Sequence, residues 1–310
     1  MTPTTSYDPG IGEKFSHRTQ RAINHDGSFN VRRRGGPHRF DPYQRLIMMP
    51  WWPFIGWVVL FFALLTGAFA GLYLLLGPGG LAGVPPGPGQ GQAFLRALFF
   101  SIQTFTSVGY GHVYPASTAA GFVSSLEALV GVLTFALATG LLYGRFSRPT
   151  ARLLYSRSAI ISRRPDSGLP MLAFRVANLR DSILIDISAR VLLKTLVAAT
   201  GNYAYAPLRL ERDAISLLPL SWTLVHDITP DSPLHGLTEA DFQARDVEII
   251  VLLKAYDDTF AQDVHARNSY VHHEIDWHRR FVRAFTVAPD GVAVVDLDNL
   301  DDTEMLDGEG

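Results

Sequence analysis

The chain of 310 residues has no cysteine, so it can form neither a disulfide nor a thiolate metal site, and thiols say nothing about its redox compartment. Charge is scarce as well: 18% of residues are Asp, Glu, Lys or Arg, against about 25% in a typical soluble domain. The shortage is local. Positions 51–76 carry no charged side chain, and between Val113 and Gly144 the only one is Glu127. As a helix, 51–76 would be about 39 Å long, enough to cross a hydrocarbon core of about 30 Å with some tilt. Two membrane spans are expected. Residues 1–50 are largely polar, which argues against a signal peptide at the start. Catalytic patterns are missing too. There is no Ser/His/Asp grouping and no P-loop, and Gly77-Pro78-Gly79-Gly80 lacks the flanking strand and helix of a nucleotide fingerprint. His273-Glu274 opens like a zinc-binding H-E-x-x-H, but Trp277 stands at the fifth position and His278 falls one residue late. No enzyme activity, cofactor or nucleic-acid partner is expected.

Arginines flank the spans asymmetrically. Arg32, Arg33, Arg34, Arg39 and Arg45 precede the first, and Arg145, Arg148, Arg152 and Arg157 follow the second. The loop Gly77 to Gln92 has no charge, so both termini are expected in the cytoplasm. Residues 1–40 form an N-terminal segment, disordered to about residue 25, with a short strand expected near 28–32. Asp41 to Met49 has the pattern of an interfacial helix or of an extension of the first span, and Pro50 and Pro53 favour a break. The membrane region runs over 41–149, with a Gly/Pro-rich turret at 77–92 and a short apolar helix at 93–105. Beyond it, over 150–300, apolar residues recur with period two. Ile183, Ile185, Ile187, Ala189 and Val191 make one such set, and Val247, Ile249, Val251 and Leu253 another. Turn signals separate these runs, which predicts a β-sandwich. The acidic end, from Asp296 onward and including a tail at 301–310, is expected to be solvated.

Between the spans stands Thr104-Phe105-Thr106-Ser107-Val108-Gly109-Tyr110-Gly111. Glycine enters backbone regions closed to other residues, so two glycines around a tyrosine allow successive carbonyls to face one way. Rings of such oxygens replace the hydration shell of K⁺ in potassium-channel filters. One loop per chain cannot close a ring, and four copies around an axis can. A homotetramer of cyclic symmetry is expected, with K⁺ bound at Ser107, Val108, Gly109, Tyr110 and Gly111. Glu127, an acid within a span and near this loop, is expected to brace it. Gly121 and Gly140 suit close helix packing, and Gly131, at mid-span, suits either packing or a bend. His112 is a polar side chain at the outer mouth.

With Asp26-Gly27-Ser28-Phe29-Asn30-Val31-Arg32, Met49-Pro50-Trp51-Trp52, Leu126-Glu127-Ala128-Leu129-Val130-Gly131, Tyr143-Gly144-Arg145-Phe146-Ser147-Arg148-Pro149 and Arg175-Val176-Ala177-Asn178-Leu179-Arg180, the chain resembles the inward-rectifier potassium channels, most of all their prokaryotic (KirBac) branch. Asp231-Ser232-Pro233-Leu234 and Val264 to Tyr270 also fit, and the likeness spans roughly residues 26 to 286. It implies two transmembrane helices, a re-entrant pore helix, a slide helix at about 41–49 and a C-terminal all-β immunoglobulin-like sandwich. It also implies passive K⁺ conduction in the inner (plasma) membrane of a prokaryote. By position, Tyr143 matches the bulky residue of the inner helix-bundle gate, its other reading being an aromatic anchor at the interface. Arg145, Arg148, Arg152 and Arg180 match contacts to anionic phospholipid headgroups, and the segment from about Thr259 to Asn268 matches a cytoplasmic constriction.

The chain departs from the family pattern in four respects. Ser107 stands in place of threonine, and Gln103 in place of a pore-helix glutamate. Phe135 occupies the cavity position that is acidic in strong rectifiers, so tight cation block in the cavity is not expected. Thr150 and Ala151 interrupt the lysine-rich run found in eukaryotic relatives, which makes lipid inhibition the expected response. Two other functions fit the same residues: a membrane-anchored β-sandwich binding protein with a non-conducting pore, and a non-selective or sodium-preferring cation channel.

Overall fold

The computed structural model describes residues 21–31, 34–35, 41–83, 89–147, 152–180 and 182–306. The expectations placed on residues 1–20, Arg148, Thr150 and Ala151 lie outside them. The chain forms two compact units, 35–148 and 1–34 with 149–310.

In the membrane unit, α1 (Pro42–Met48) starts where the Asp41 carboxylate accepts the Gln44 N–H at 3.0 Å, with Pro42 in the first helical position. Met49 is extended ahead of Pro50, and α2 (Trp51–Leu75) begins after it. Then come β1 (Leu81–Ala82), α3 (Gln90–Phe105), β2 (Tyr114–Pro115) and α4 (Thr118–Phe146). Helices α2 and α4 have 25 and 29 residues, lengths of about 37 and 43 Å, and among the described residues are the two helices long and apolar enough to cross a membrane. Their most apolar stretches are only 22% and 11% buried, so most of that surface is left for lipid or for other copies of the chain. With 16 residues, α3 is too short to cross. It packs through Ala97 and Phe100 on Phe69, Ala70 and Tyr73 of α2.

The second unit is the expected β-sandwich. Its strands are β3 (Leu153–Tyr155), β4 (Ala159–Arg163), β5 (Pro170–Asn178), β6 (Leu184–Val197), β7 (Asn202–Leu208), β8 (Ala214–Leu218) and β9 (Ser221–Asp227). A short helix α5 (Glu239–Ala244) precedes β10 (Glu248–Asp257), β11 (Gln262–Val271), β12 (Ile275–Trp277), β13 (Arg279–Phe281), β14 (Phe285–Val287), β15 (Ala293–Val295) and β16 (Thr303–Met305). One sheet has the order β11-β10-β6-β7 with β8 also on β6, and the other β12-β4-β5-β3 with β9 also on β5. Phe174, Val176, Val191, Leu224, Ile249 and Tyr270 belong to the core they enclose.

Three local expectations need correction. The alternation through 183–191 slips: Leu184 and Ile187 are buried while Ile183 is exposed. Asp186 has φ +50 and the pairing with β10 shifts between Lys254 and Tyr256, so a bulge moves the apolar set by one residue. The acidic end is only partly solvated. Leu300 is buried, Asp301 pairs with Arg157 at 3.0 Å, and β16 pairs with β13 through an Arg280–Glu304 contact of 2.7 Å. Residues 307–310 lie outside the described residues.

The third correction concerns the N-terminal segment. In place of a strand near 28–32, the described residues there hold a single bridge, Ile23 to Phe29, closed by a turn in which Gly27 has φ +78. Ile23 is fully buried against Leu192, Tyr203, Tyr205 and Ile250, on the sheet face away from the main core. The Ala22 N–H donates to the Glu248 carboxylate at 2.7 Å, and that carboxylate pairs with Lys194 at 2.9 Å, both side chains being almost wholly buried. Ser269 donates to the Ile23 carbonyl at 2.7 Å, and Arg21 pairs with Glu274 at 3.0 Å. Ile23→Ala is expected to cost about 2–5 kcal/mol, read as a lower midpoint of denaturant unfolding of this domain. An unchanged midpoint would show that the segment around Ile23 is not docked on the sheet.

Candidate functional site

Helix α3 ends at Phe105, and the next backbone N–H groups turn back onto its last carbonyls. Thr106 donates to Ile102 at 3.0 Å, Ser107 to Thr104 at 3.1 Å, and Val108 and Gly109 to Gln103 at 2.9 and 3.3 Å. At Gln103, then, the main-chain carbonyl holds the loop. Beyond it φ alternates in sign: Ser107 at +58, Gly109 at +54 and Gly111 at +80, with Val108 and Tyr110 negative. This alternation turns successive carbonyls to one side. Among the described residues, no backbone N–H outside helices and strands donates to the carbonyls of 107–111. All five residues are exposed on the single chain.

Behind the loop, Glu127 of α4 is fully buried and ties three helices together. Tyr73 of α2 donates to its carboxylate at 2.6 Å, Ser101 of α3 is hydrogen-bonded to its other oxygen, and Ser101 also lies 2.9 Å from the Thr66 carbonyl. Beyond the loop β1 pairs with β2, and Gly83, at φ +79, approaches the His112 carbonyl so closely that a Cβ would lie 1.8 Å from that oxygen. Sequence reasoning missed this contact, because one glycine among many in the turret carries no signal of its own.

Helix α4 runs unbroken past Gly131, where a Cβ would stand 2.2 Å from the Phe105 carbonyl oxygen. The glycine lets α4 touch the end of α3. Gly121 and Gly140 have nothing within 4 Å of such a Cβ, so this chain by itself does not make the close packing expected of them. Ser107, Gly131 and Phe135 help to line an apolar groove of about 720 Å³, and Phe135 and Tyr143 are 76% and 75% exposed.

The arginines matched to lipid headgroups differ in their surroundings. Arg145 donates to the carbonyls of Leu46, Ile47 and Met49, with its guanidinium 4.5 Å from the Trp51 ring and 4.3 Å from that of Phe54. It thus serves the open C-terminal end of α1. Arg152 is exposed, Arg180 faces Asp257, and Arg148 lies outside the described residues. Arg145→Met would strand three carbonyls at about 1–3 kcal/mol each where they stay dry. Faster amide exchange over 42–49 is expected, and unchanged exchange would show that Arg145 does not hold α1.

A second concavity, of about 800 Å³, lies on the sandwich beside His226. Its Nδ1 donates to the Arg209 carbonyl at 2.6 Å and its Nε2 accepts from Ser232 at 2.8 Å, while burial holds the imidazole below its usual pKa. Both nitrogens are committed, which makes the ring structural. Among the described residues, no group of three His, Asp or Glu is placed to hold a metal ion.

Two helices long and apolar enough to cross a membrane, a short helix between them with its positive-φ turn, and a following β-sandwich define the class of pore-loop ion channels. Residues 153–308 match the inward rectifier potassium channel C-terminal domain, and 54–148 match the ion channel family. The chain is 36% identical over 292 residues to the inward rectifier potassium channel Kirbac3.1 of Paramagnetospirillum magnetotacticum, covering 92% of this chain and 96% of that protein. It is 32% identical over 253 residues to the human inward rectifier potassium channel 4, and 31% over 220 residues to the ATP-sensitive inward rectifier potassium channel 12 of Gallus gallus. These matches cover 74% and 66% of this chain, and 56% and 50% of the two vertebrate proteins. The chain belongs to the inward-rectifier potassium channel family, in its prokaryotic branch, a family of membrane ion channels and not of enzymes.

Proposed function

We propose that four copies of this chain surround a pore in a prokaryotic plasma membrane, with both termini cytoplasmic, and that K⁺ passes through it passively. The observation that carries the proposal is the alternating φ at Ser107, Gly109 and Gly111, below N–H groups folded back onto α3. Four such loops would present stacked rings of carbonyl oxygens to a dehydrated ion. The low burial of α2 and α4 supports the tetramer, since each inner helix would face an axis and a neighbour as well as lipid. A membrane potential of 100 mV supplies about 2.3 kcal/mol per ion, so conduction requires no other energy source.

Tyr143 is assigned the inner gate, where four exposed rings would narrow and dewet the path. Phe135 lines the cavity without a carboxylate, which goes with weak block by internal cations. Glu127 braces the filter, and Gly131 is the place where α4 would bend. Arg152 and Arg148 carry the response to anionic phospholipid, with Arg145 acting through α1.

Flux from liposomes tests this directly. Potassium release that exceeds sodium release and is blocked by barium is expected. Equal sodium release would favour a non-selective pore, and no flux in any lipid would favour the β-sandwich binding protein.

A further inference from the structure

Between Arg45 and Glu127 the sequence holds a single formally charged side chain, Arg96, and it stands within the short helix α3. Its guanidinium has no hydrogen bond or ion pair among the described residues. Ala97 and Phe100 beside it are buried with Phe69, Ala70 and Tyr73 of α2. Gln92 and Phe99, four and three positions away on the helix surface, are exposed, as are Phe94 and Leu95. Arg96 is half-buried at the border between the two sets. The contacts with α2 also fix its depth. Tyr73 and Phe69 lie about 3 and 9 Å along the axis from the end of α2 at Leu75. A 25-residue helix exceeds a hydrocarbon core of about 30 Å by about 7 Å, so this level is the boundary between acyl chains and headgroups.

We propose that Arg96, with the Gln92 amide, holds the headgroup of an anionic phospholipid in the leaflet that meets the C-terminal end of α2, and that the acyl chains cover Phe94, Leu95 and Phe99. Under the orientation proposed above this is the outer leaflet; the name of the leaflet rests on that reading, and the site does not. A cation at the edge of the hydrocarbon region calls for an anionic partner. A guanidinium fork matches phosphate oxygens, and its stem can lie along apolar chains while its head stays at the interface. A second copy of the chain does not supply the anion. Its segment from Arg45 to Glu127 contains no other carboxylate, and Glu127 is fully buried and bonded to Tyr73 and Ser101. The lipid phosphate is the anion left at that depth. Arg145 serves the opposite leaflet, for Phe146 beside it stacks 5.1 Å from Trp51 at the other end of α2.

The native chain has no cysteine, so a bimane fluorophore on Leu95→Cys reports this place alone. The test uses the full channel in liposomes that contain phosphatidylglycerol or phosphatidylcholine brominated on the acyl chains. Brominated phosphatidylglycerol is expected to quench at about a fivefold lower share of the lipid than brominated phosphatidylcholine. Arg96→Gln should quench equally with both, and Arg96→Lys, which keeps the charge, should retain part of the preference. High salt should shrink the preference in the parent protein. Equal quenching by the two lipids in the parent would overturn the site, and so would a preference that survives Arg96→Gln. If Arg96→Gln does not fold, salt decides, since a preference unmoved by it does not come from charge. Equal quenching in a parent whose Arg96→Gln variant loses its tetramers would assign Arg96 to a neighbouring copy instead. Quenching requires no conduction, so protein that passes no potassium would refute the proposed pore and leave the lipid result standing.

Discussion

Gly109→Ala is expected to abolish potassium flux in a protein that still folds and assembles. In the single chain nothing lies within 4 Å of the added methyl, so the effect comes from the backbone. At φ +54 an L-residue with a Cβ costs about 1–2 kcal/mol, and the proposed ring of four would pay this four times. Relief comes from turning the peptide plane, which would swing a carbonyl out of the proposed ring of oxygens and so remove an ion site. Liposome flux together with size-exclusion chromatography decides the matter. Selective current through the variant would refute the placement of the filter at 107–111. A variant that never assembles would show that the loop is needed for folding as well as for conduction.

Gly131→Ala should be nearly as damaging, by a different route. The new Cβ would lie 2.2 Å from the Phe105 oxygen, 3.0 Å from its carbonyl carbon and 3.1 Å from its Cα, and all three atoms are backbone. No side chain can rotate away, so α3 and α4 must separate by about 1 Å to restore van der Waals contact. Overpacking of this kind costs about 1–3 kcal/mol per chain. Phe105 is two residues before Ser107, which makes the inner filter site the first casualty. A lower thermal midpoint and a reduced preference for potassium over sodium are both expected. Wild-type values for both would show that the helices do not touch at this point.

These two glycines also mark how far local pattern carries. The positive φ of Gly109 was legible because its signals lie within eight consecutive residues: the turn chemistry, the tyrosine and the flanking apolar runs all stand side by side. Gly131 was legible only as a mid-span glycine suited to packing or bending, since its partner is a carbonyl on another helix. Glu127 behaved similarly. An acid in a span announces itself by the cost of burying it, but nothing in the spacing pointed to Tyr73 and Ser101 as the groups that satisfy it. Ile250 and Leu252 interrupt a clean alternation in β10. The reason is distant in sequence, for Ile23 covers the outer face of that sheet and the strand is buried on both sides there. Likewise the bulge at Asp186 shifts which residues of β6 face the core, and a period-two count cannot show where one residue is inserted.

The sequence by itself determined the two spans, the carbonyl-bearing loop between them and the β-rich domain that follows. Hydropathy, glycine conformation and strand periodicity act over a few neighbouring residues, and each leaves its mark in the order of amino acids. Only the tertiary structure decided which partners buried polar groups find: Glu127 with Tyr73 and Ser101, Glu248 with Lys194 and the Ala22 N–H, Arg145 with the end of α1, and Asp257 with Arg180. A charge or carbonyl withdrawn from water must be met by whatever the fold brings within about 3–4 Å, and residues far apart in the chain supply it.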